Sequence, residues 1–294
     1  MRVPTRAAPA GRDRGPTDRH ARRLSLGQPG AWSAAGAPLI LPRAADGCLL
    51  TEAMLLSRLP RGRFLGALAV LLAIVVVFSG VGAHYPHDWW LENALVLGFL
   101  AFLGASYRRM PLSRVSYTLI FCFLCLHEIG AHWTYSEVPY DAWTRALFGR
   151  SLNEAMGWER NHFDRLVHFS YGLLLAYPIR EVFVRVANAR GFWGYFLPLD
   201  VAMSTSMLYE LIEWMAAEAF GGELGAAYLG TQGDIWDAHK DMLLATIGAM
   251  IAMLVTAAIN ARYHRDFARE FVDSLRVKSP EPLGEDELAR LKTL

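Results

Sequence analysis

The chain has 294 residues, 53% of them hydrophobic and only 19% charged, with a positive mean hydropathy of +0.21. That balance is too apolar for an ordinary soluble domain and points to a membrane protein. The net charge of +1 hides an asymmetry, since residues 1–63 hold eleven Arg against three Asp and one Glu, so a whole-chain charge argument carries nothing. No nucleic-acid partner is expected. Three cysteines, Cys48, Cys122 and Cys125, exclude a disulfide framework, and a C-x-x-C inside an apolar helix is one turn of ordinary packing more often than a redox pair.

Residues 1–60 are rich in Arg, Ala, Gly and Pro without apolar periodicity, and are expected to be a disordered basic extension. Met54 is the alternative start, because residues 54–63 form a short basic flank before a first span. Six segments then satisfy the requirement of about 20 apolar residues for crossing a bilayer. They run from Phe64 to Gly82, Trp90 to Tyr107, Val115 to Trp133, Leu166 to Val184, Phe192 to Met215 and Met242 to Asn260. The expected architecture is all-α, a polytopic bundle of six transmembrane helices over residues 64–260. A polar tail over residues 261–294 ends in a weakly amphipathic stretch, Glu285 to Leu294.

Lys and Arg in the short loops orient the bundle. The first loop has none, the second has Arg108, Arg109 and Arg114, the fourth has Arg180, Arg185 and Arg190, and the fifth has only Lys240. The tail adds Arg262, Arg265, Arg269, Arg276 and Lys278. This alternation puts both termini in the cytoplasm. Only the third loop dissents, with Arg145, Arg150, Arg160 and Arg165 accompanied by acidic residues. Within that loop, Tyr140 to Phe148 is a candidate interfacial helix.

In this topology the charged and His residues of the later segments gather at their outer ends, while the inner halves carry almost none. Helical spacing puts Glu128 with His132, Asp164 with His168, Glu210 with Glu213, Tyr209 with Glu213, and Asp234 with Asp237 and Asp241 on shared faces. His84, His87, Asp88, Glu92 and Asn93 share the same layer. A charge near mid-helix costs about 2.5–3.5 kcal/mol on insertion scales. Several together imply mutual pairing, a metal or a wet cavity.

Imidazole with carboxylate is the usual ligand set for zinc, iron or manganese. A carboxylate or His left over can serve as a general base. Glu128, His168, Glu213 and Asp237 are the candidate catalytic groups. His132, Asp164, His168, Glu210 and Asp241 are the candidate ligands of a divalent metal. His127, His162, Arg165 and Lys240 are the candidate substrate contacts, the two cations for an anionic headgroup. His127-Glu128-x-x-x-His132 is not the H-E-x-x-H of zinc proteases, because its histidines stand five apart, about 140° around a helix. Bland roles stand beside these: histidines cap helix ends, Asp164 and Asp237 suit helix N-termini, and arginines pair with neighbouring carboxylates.

H-E-I-G-A-H-W-T-Y at 127–135, R-N-H-F-D-R-L-V-H-F at 160–169, Y-P-I-R-E at 177–181, Y-E-L-I-E-W at 209–214 and G-T-Q-G-D-I-W-D-A-H-K-D-M at 230–242 are five ordered motifs. Together they resemble the YjdF-type family of bacterial inner-membrane proteins, over roughly Phe64 to Asn260. The resemblance implies a multi-pass protein of the inner membrane and supplies no activity. A looser likeness to VanZ-type membrane proteins lies in the acidic fifth and sixth segments.

The function favoured at this point is an enzyme, metal-dependent or not, acting on a lipid or lipid-linked headgroup. The alternatives are a non-enzymatic protein binding or transporting a cation or small solute, and an envelope scaffold whose ion pairs fix helix register. Apolar inner halves and the lack of a repeat between the two three-segment halves weigh against transport.

Overall fold

A computed structural model describes residues 59–220, 231–264 and 266–278, with 282, 284 and 290–292 beyond them. The basic extension up to residue 58, Met54 included, and most of the 285–294 stretch lie outside the described residues. Every regular element among the described residues is helical. The long helices are α1 (Arg61–Gly80), α2 (Pro86–Ser106) and α3 (Arg114–Trp133). A single 3-10 turn (Tyr135–Glu137) and the short α4 (Tyr140–Phe148) and α5 (Leu152–Met156) follow. Then come α6 (Phe163–Val186), α7 (Trp193–Phe220), α8 (Asp237–Tyr263) and the short α9 (Phe267–Ser274).

Local chemistry sets these boundaries. Pro86 opens α2 at its first turn, where a missing N–H leaves no bond unmade. Ser113 caps α3 by accepting from the Ser116 N–H. Ser151 and Glu154 cap each other's backbone at the start of α5. Gly149 and Gly157 end α4 and α5 with φ of 73° and 68°, left-handed values that a side chain resists.

Helix α6 is the hub, packing on α3, α7 and α8, while α1 and α2 lie against α3. The α6–α8 seam is the closest. Gly172 faces the Ala245 carbonyl and the Ala249 N–H, and Gly248 faces the Phe169 carbonyl, so the two backbones touch where no Cβ intervenes. Small residues at helix interfaces allow such approach and let dispersion act over a large area. The outside of the bundle is apolar: Val77, Phe78 and Leu254 are each more than 60% exposed. A surface of this kind is stable in lipid rather than in water.

Four helices, α1, α2, α3 and α8, are individually long and apolar enough to cross a membrane. The other two expected spans, α6 and α7, have ample length at 24 and 28 residues, but their charged residues are spread along the helix, at Asp200, Glu210, Glu213 and Glu218 in α7. In α6, Asp164, Arg165 and Glu181 find their partners within the protein, and Arg185, close to the end of the helix, is exposed. All six long helices start or end a few residues away from the purely apolar segments, and α8 runs on to Tyr263. Beyond it, α9 docks through Phe267 and Phe271 against Tyr195 and Phe192.

At the other end of the bundle, Glu181 is an ionisable group held within the protein. Its carboxylate accepts from the Ser113 N–H at 2.8 and 2.9 Å, from Ser116 Oγ at 2.5 Å and from Arg185 at 2.9 Å. It serves as a second cap on α3, placed where the helix dipole favours negative charge.

Candidate functional site

Antiparallel alternation brings the ends of α1, α3 and α7 and the starts of α2, α6 and α8 to one end of the bundle. The polar side chains that spacing put on single stripes separate there into distinct groups.

The deepest group is built on α6, α7 and α8. His168 Nε2 lies 3.6 Å from Asp164 Oδ1, one turn back, and 3.4 Å from Glu210 Oε1. Ligand atoms of Asp164, His168 and Asp241 all fall within 4.8 Å of one another. Donors about 2.0–2.2 Å from a zinc-like ion stand up to about 4 Å apart, so a small contraction would close this set. His168 and Asp241 are 6% and 2% exposed, and Glu213 is buried within electrostatic reach of Asp164, Glu210 and Asp241. Asp241 Oδ1 is buried with no hydrogen-bond partner among the described residues, and Glu210 Oε1 has only the 3.4 Å approach of His168. Such groups are costly unless something binds them.

A second group surrounds Glu128, only 1% exposed on α3. Ser79 Oγ donates to its Oε2, and Trp89 Nε1 donates to Ser79 Oγ at 2.9 Å. His132 Nδ1 sits 2.6 Å from the Ser79 carbonyl. Glu128 and His132 therefore share Ser79 as partner and do not pair with each other, and His132 stands apart from the Asp164–His168–Asp241 set. Tyr209, expected beside Glu213, donates to Glu92 at 2.8 Å.

The third group is a charged rim. Arg160 grips Asp237 through both oxygens, at 2.6 and 3.1 Å. Arg165 bonds Asp234 at 2.6 Å and Asp237 at 3.0 Å, and Lys240 reaches Asp234 at 2.5 Å. Lys240 first, then the Trp236 N–H and Arg165, hold the Asp234 carboxyl well below the usual carboxylate range. Asp237 is thus an ion-pair partner here, while Arg165 and Lys240 are neutralised by the chain's own carboxylates. His162 lies beside them, with Nδ1 3.1 Å from Arg165. Burial, Arg165 and Arg160 lower its affinity for a proton.

His127 belongs to a fourth arrangement. Tyr135, from the 3-10 turn, places its hydroxyl 2.5 Å from His127 Nδ1. Gly130 makes room, since a Cβ there would stand 2.6 Å from a Tyr135 ring carbon. His127 Nε2 is buried without a hydrogen-bond partner among the described residues. His127 is one of the residues lining a cavity of about 580 Å³ between α2, α3, α6 and α7, whose polar end holds His127, Asp164, His168 and Tyr209.

Sequence spacing left Ser79, Trp89, Tyr135, Arg160 and Asp234 without a site role. Glu92 and Asn93 were placed in the right layer with no task, although a charge within an apolar segment signals a buried partner. Ser79 had no signal, because a serine in a membrane span is unremarkable until its neighbour across the interface is known.

Residues 64–262 match a family described as a predicted membrane protein (DUF2238). The chain belongs to that family. It is 37% identical, over 200 residues that make up 68% of this chain and 91% of the relative, to a protein of Escherichia coli (strain K12) called inner membrane protein YjdF. These matches bear out the family resemblance read from the sequence, and the chain is a multi-pass protein of the bacterial inner membrane. No solved structure matches it.

Proposed function

We propose that the DUF2238 domain spans the membrane six times over residues 64–260, with both termini and the 261–294 tail in the cytoplasm. Its outer polar end is a metal-dependent active site for a lipid or lipid-linked headgroup. The observation that carries this is the convergence of Asp164, His168 and Asp241, the first two of which also line the polar end of an apolar cavity. Carboxylates outnumber buried cations around His168, which favours a bound divalent ion, zinc, iron or manganese, over a bare anion site. Asp164, His168 and Asp241 would hold the ion, with Glu210 beside them, and the ion would supply a Lewis acid or an activated water. Glu213, buried next to this set, is the candidate proton acceptor. His127 Nε2 offers a hydrogen bond to a substrate oxygen. Arg160, Arg165 and Lys240 close the rim through Asp234 and Asp237, leaving the headgroup to meet the acidic inner surface and the ion.

The same surplus of carboxylates favours a second reading, in which the site binds a cation without turnover. Metal analysis of the purified protein tests the shared step. Wild type is expected to retain about one zinc, iron or manganese ion per chain after supply and desalting, His168→Ala and Asp241→Asn to lose it, and Glu128→Ala to keep it. A folded wild type that retains none would sink both readings. Turnover of extracted membrane lipids by the loaded protein then separates enzyme from binder.

A further inference from the structure

We infer that the cavity is a slot for one extended hydrocarbon chain, longer than an ordinary acyl chain, which enters sideways from the bilayer between α2 and α7. The headgroup end of this slot rests on the function proposed above; the slot itself rests on the following geometry. Its lining follows one face of α6 at helical spacing, through Asp164, His168, Tyr171, Leu175, Ile179 and Val182. From Asp164 to Val182 this face spans about 27 Å at 1.5 Å per residue. The hydrocarbon core of a bilayer is about 30 Å thick, so the slot runs nearly its full depth, about twice the reach of a chain confined to one leaflet.

Polarity is confined to the end at Asp164. Beyond Tyr171 the walls are carbon, drawn from α2, α3, α6 and the middle of α7, with Thr205 and Ser206 the polar exceptions. Lipid tails are as apolar as these walls, so a chain can pass between bilayer and slot with little cost of transfer. The route is visible on α2. Leu95 and Phe102 line the cavity and are also 45% and 62% exposed, and α2 and α7 do not pack along their lengths. Near the polar end the two helices are tied by the Tyr209–Glu92 hydrogen bond, which closes the slot above the opening.

The head must suit what surrounds it. His127 Nε2 is a buried, unpartnered group among the described residues, and its other nitrogen is held by Tyr135. If the Tyr135 hydroxyl donates to Nδ1, then Nε2 carries a hydrogen and asks for an oxygen acceptor. With Asp164 and Glu210 close by, a neutral hydroxyl or ester oxygen fits better than a bare anion. The ligand class is a long single-chain lipid alcohol or ester, of either polyisoprenoid or very-long straight-chain hydrocarbon.

Photolabelling in nanodiscs tests this with alcohols of both chain types, each carrying a diazirine at the far tip. Each is made in one length matching the full hydrocarbon core and one matching half of it. The full-length probe is expected to label peptides holding Leu112 and Val182, and the half-length probe peptides near Leu175 and Val201; the stronger chain type identifies the source. Labelling confined to lipid-facing positions such as Val77 and Phe78 overturns the slot. Val182→Trp should cut full-length labelling by about tenfold, the scale of a core overpacking penalty, while leaving half-length labelling and metal content unchanged. Equal labelling by both lengths in that variant overturns it, and if the variant does not fold, the wild-type label map decides. His168→Ala keeps the two proposals apart: persistent labelling without metal supports the slot alone, and metal binding without cavity labelling sinks it alone.

Discussion

At the residue scale, the informative atoms are those whose partner lies on another helix. Spacing put Glu128 and His132 on one face, which is true of their backbone positions, yet Ser79 of α1 takes both. Spacing in one helix says which residues are neighbours and nothing of which hydroxyl arrives from across the interface. Asp234 shows the same for charge, and its depressed carboxyl gives a pH dependence with a definite sign. A carboxyl whose folded pKa is lowered adds stability that is complete above its unfolded value, about 4, and is lost only as the pH falls below that toward the folded value. The rim should therefore hold unchanged from neutral pH down to about 5 and release the connection between α3 and α6 in stronger acid. Hydrogen exchange of the amides from Val138 to Asn161 reads this, with faster exchange expected at about pH 3 than at about pH 5. Asp234→Asn should bring the fast exchange to neutral pH, because Arg160 in the connection, with Arg165 and Lys240, then loses the carboxylate the three share. Exchange that rises smoothly from neutral pH, or is unaltered by the substitution, would remove the rim as the fastening.

At the scale of elements, the six long helices were legible because apolar runs of spanning length have few other uses, and Tyr140–Phe148 forms a helix over the expected residues. Boundaries were read too short where polar residues open a helix. Helix α6 begins at Phe163 and not Leu166, and α8 at Asp237 and not Met242. Asp164, Asp237 and Asp241 are polar by composition but lie inside protein, so an apolarity rule stops ahead of them. The packing order was not legible, since nothing in an apolar run names its neighbour. Gly172 and Gly248 are the exceptions with a consequence: both occupy the α6–α8 seam, where a Cβ would enter the opposing backbone. Gly172→Val is expected to cost about 3 kcal/mol or more, because backbone cannot swing aside as a side chain can. Thermal unfolding in detergent measures it against Gly98→Ala, where open space surrounds the position. A Gly172→Val midpoint within error of that control would mean the seam is not closed as described.

At the scale of the whole molecule, the third loop is the difficulty for a topology with both termini inside, since it carries Arg145, Arg150, Arg160 and Arg165 on the proposed outer side. The fold removes most of that objection. Arg145 is paired with Glu154, Arg160 with Asp237, and Arg165 with Asp234 and Asp237. In the second and fourth loops, Arg108, Arg109 and Arg190 have no carboxylate partner among the described residues, and in the proposed topology these are the cations that a membrane potential and an anionic inner leaflet would retain. The folded loop thus presents far less net charge than its arginine count suggests. A reporter active only outside the cytoplasm is expected to work when fused after Gly149 and to fail when fused after Asn188, with a cytoplasmic reporter giving the converse pattern. Glu154→Gln combined with Asp237→Asn would unmask arginines of the third loop and should lower the outside signal at Gly149. A cytoplasmic Gly149 in the unaltered chain would put the Asp164–His168–Asp241 set on the inner face, and the proposed site would then have to meet its lipid from the cytoplasmic leaflet.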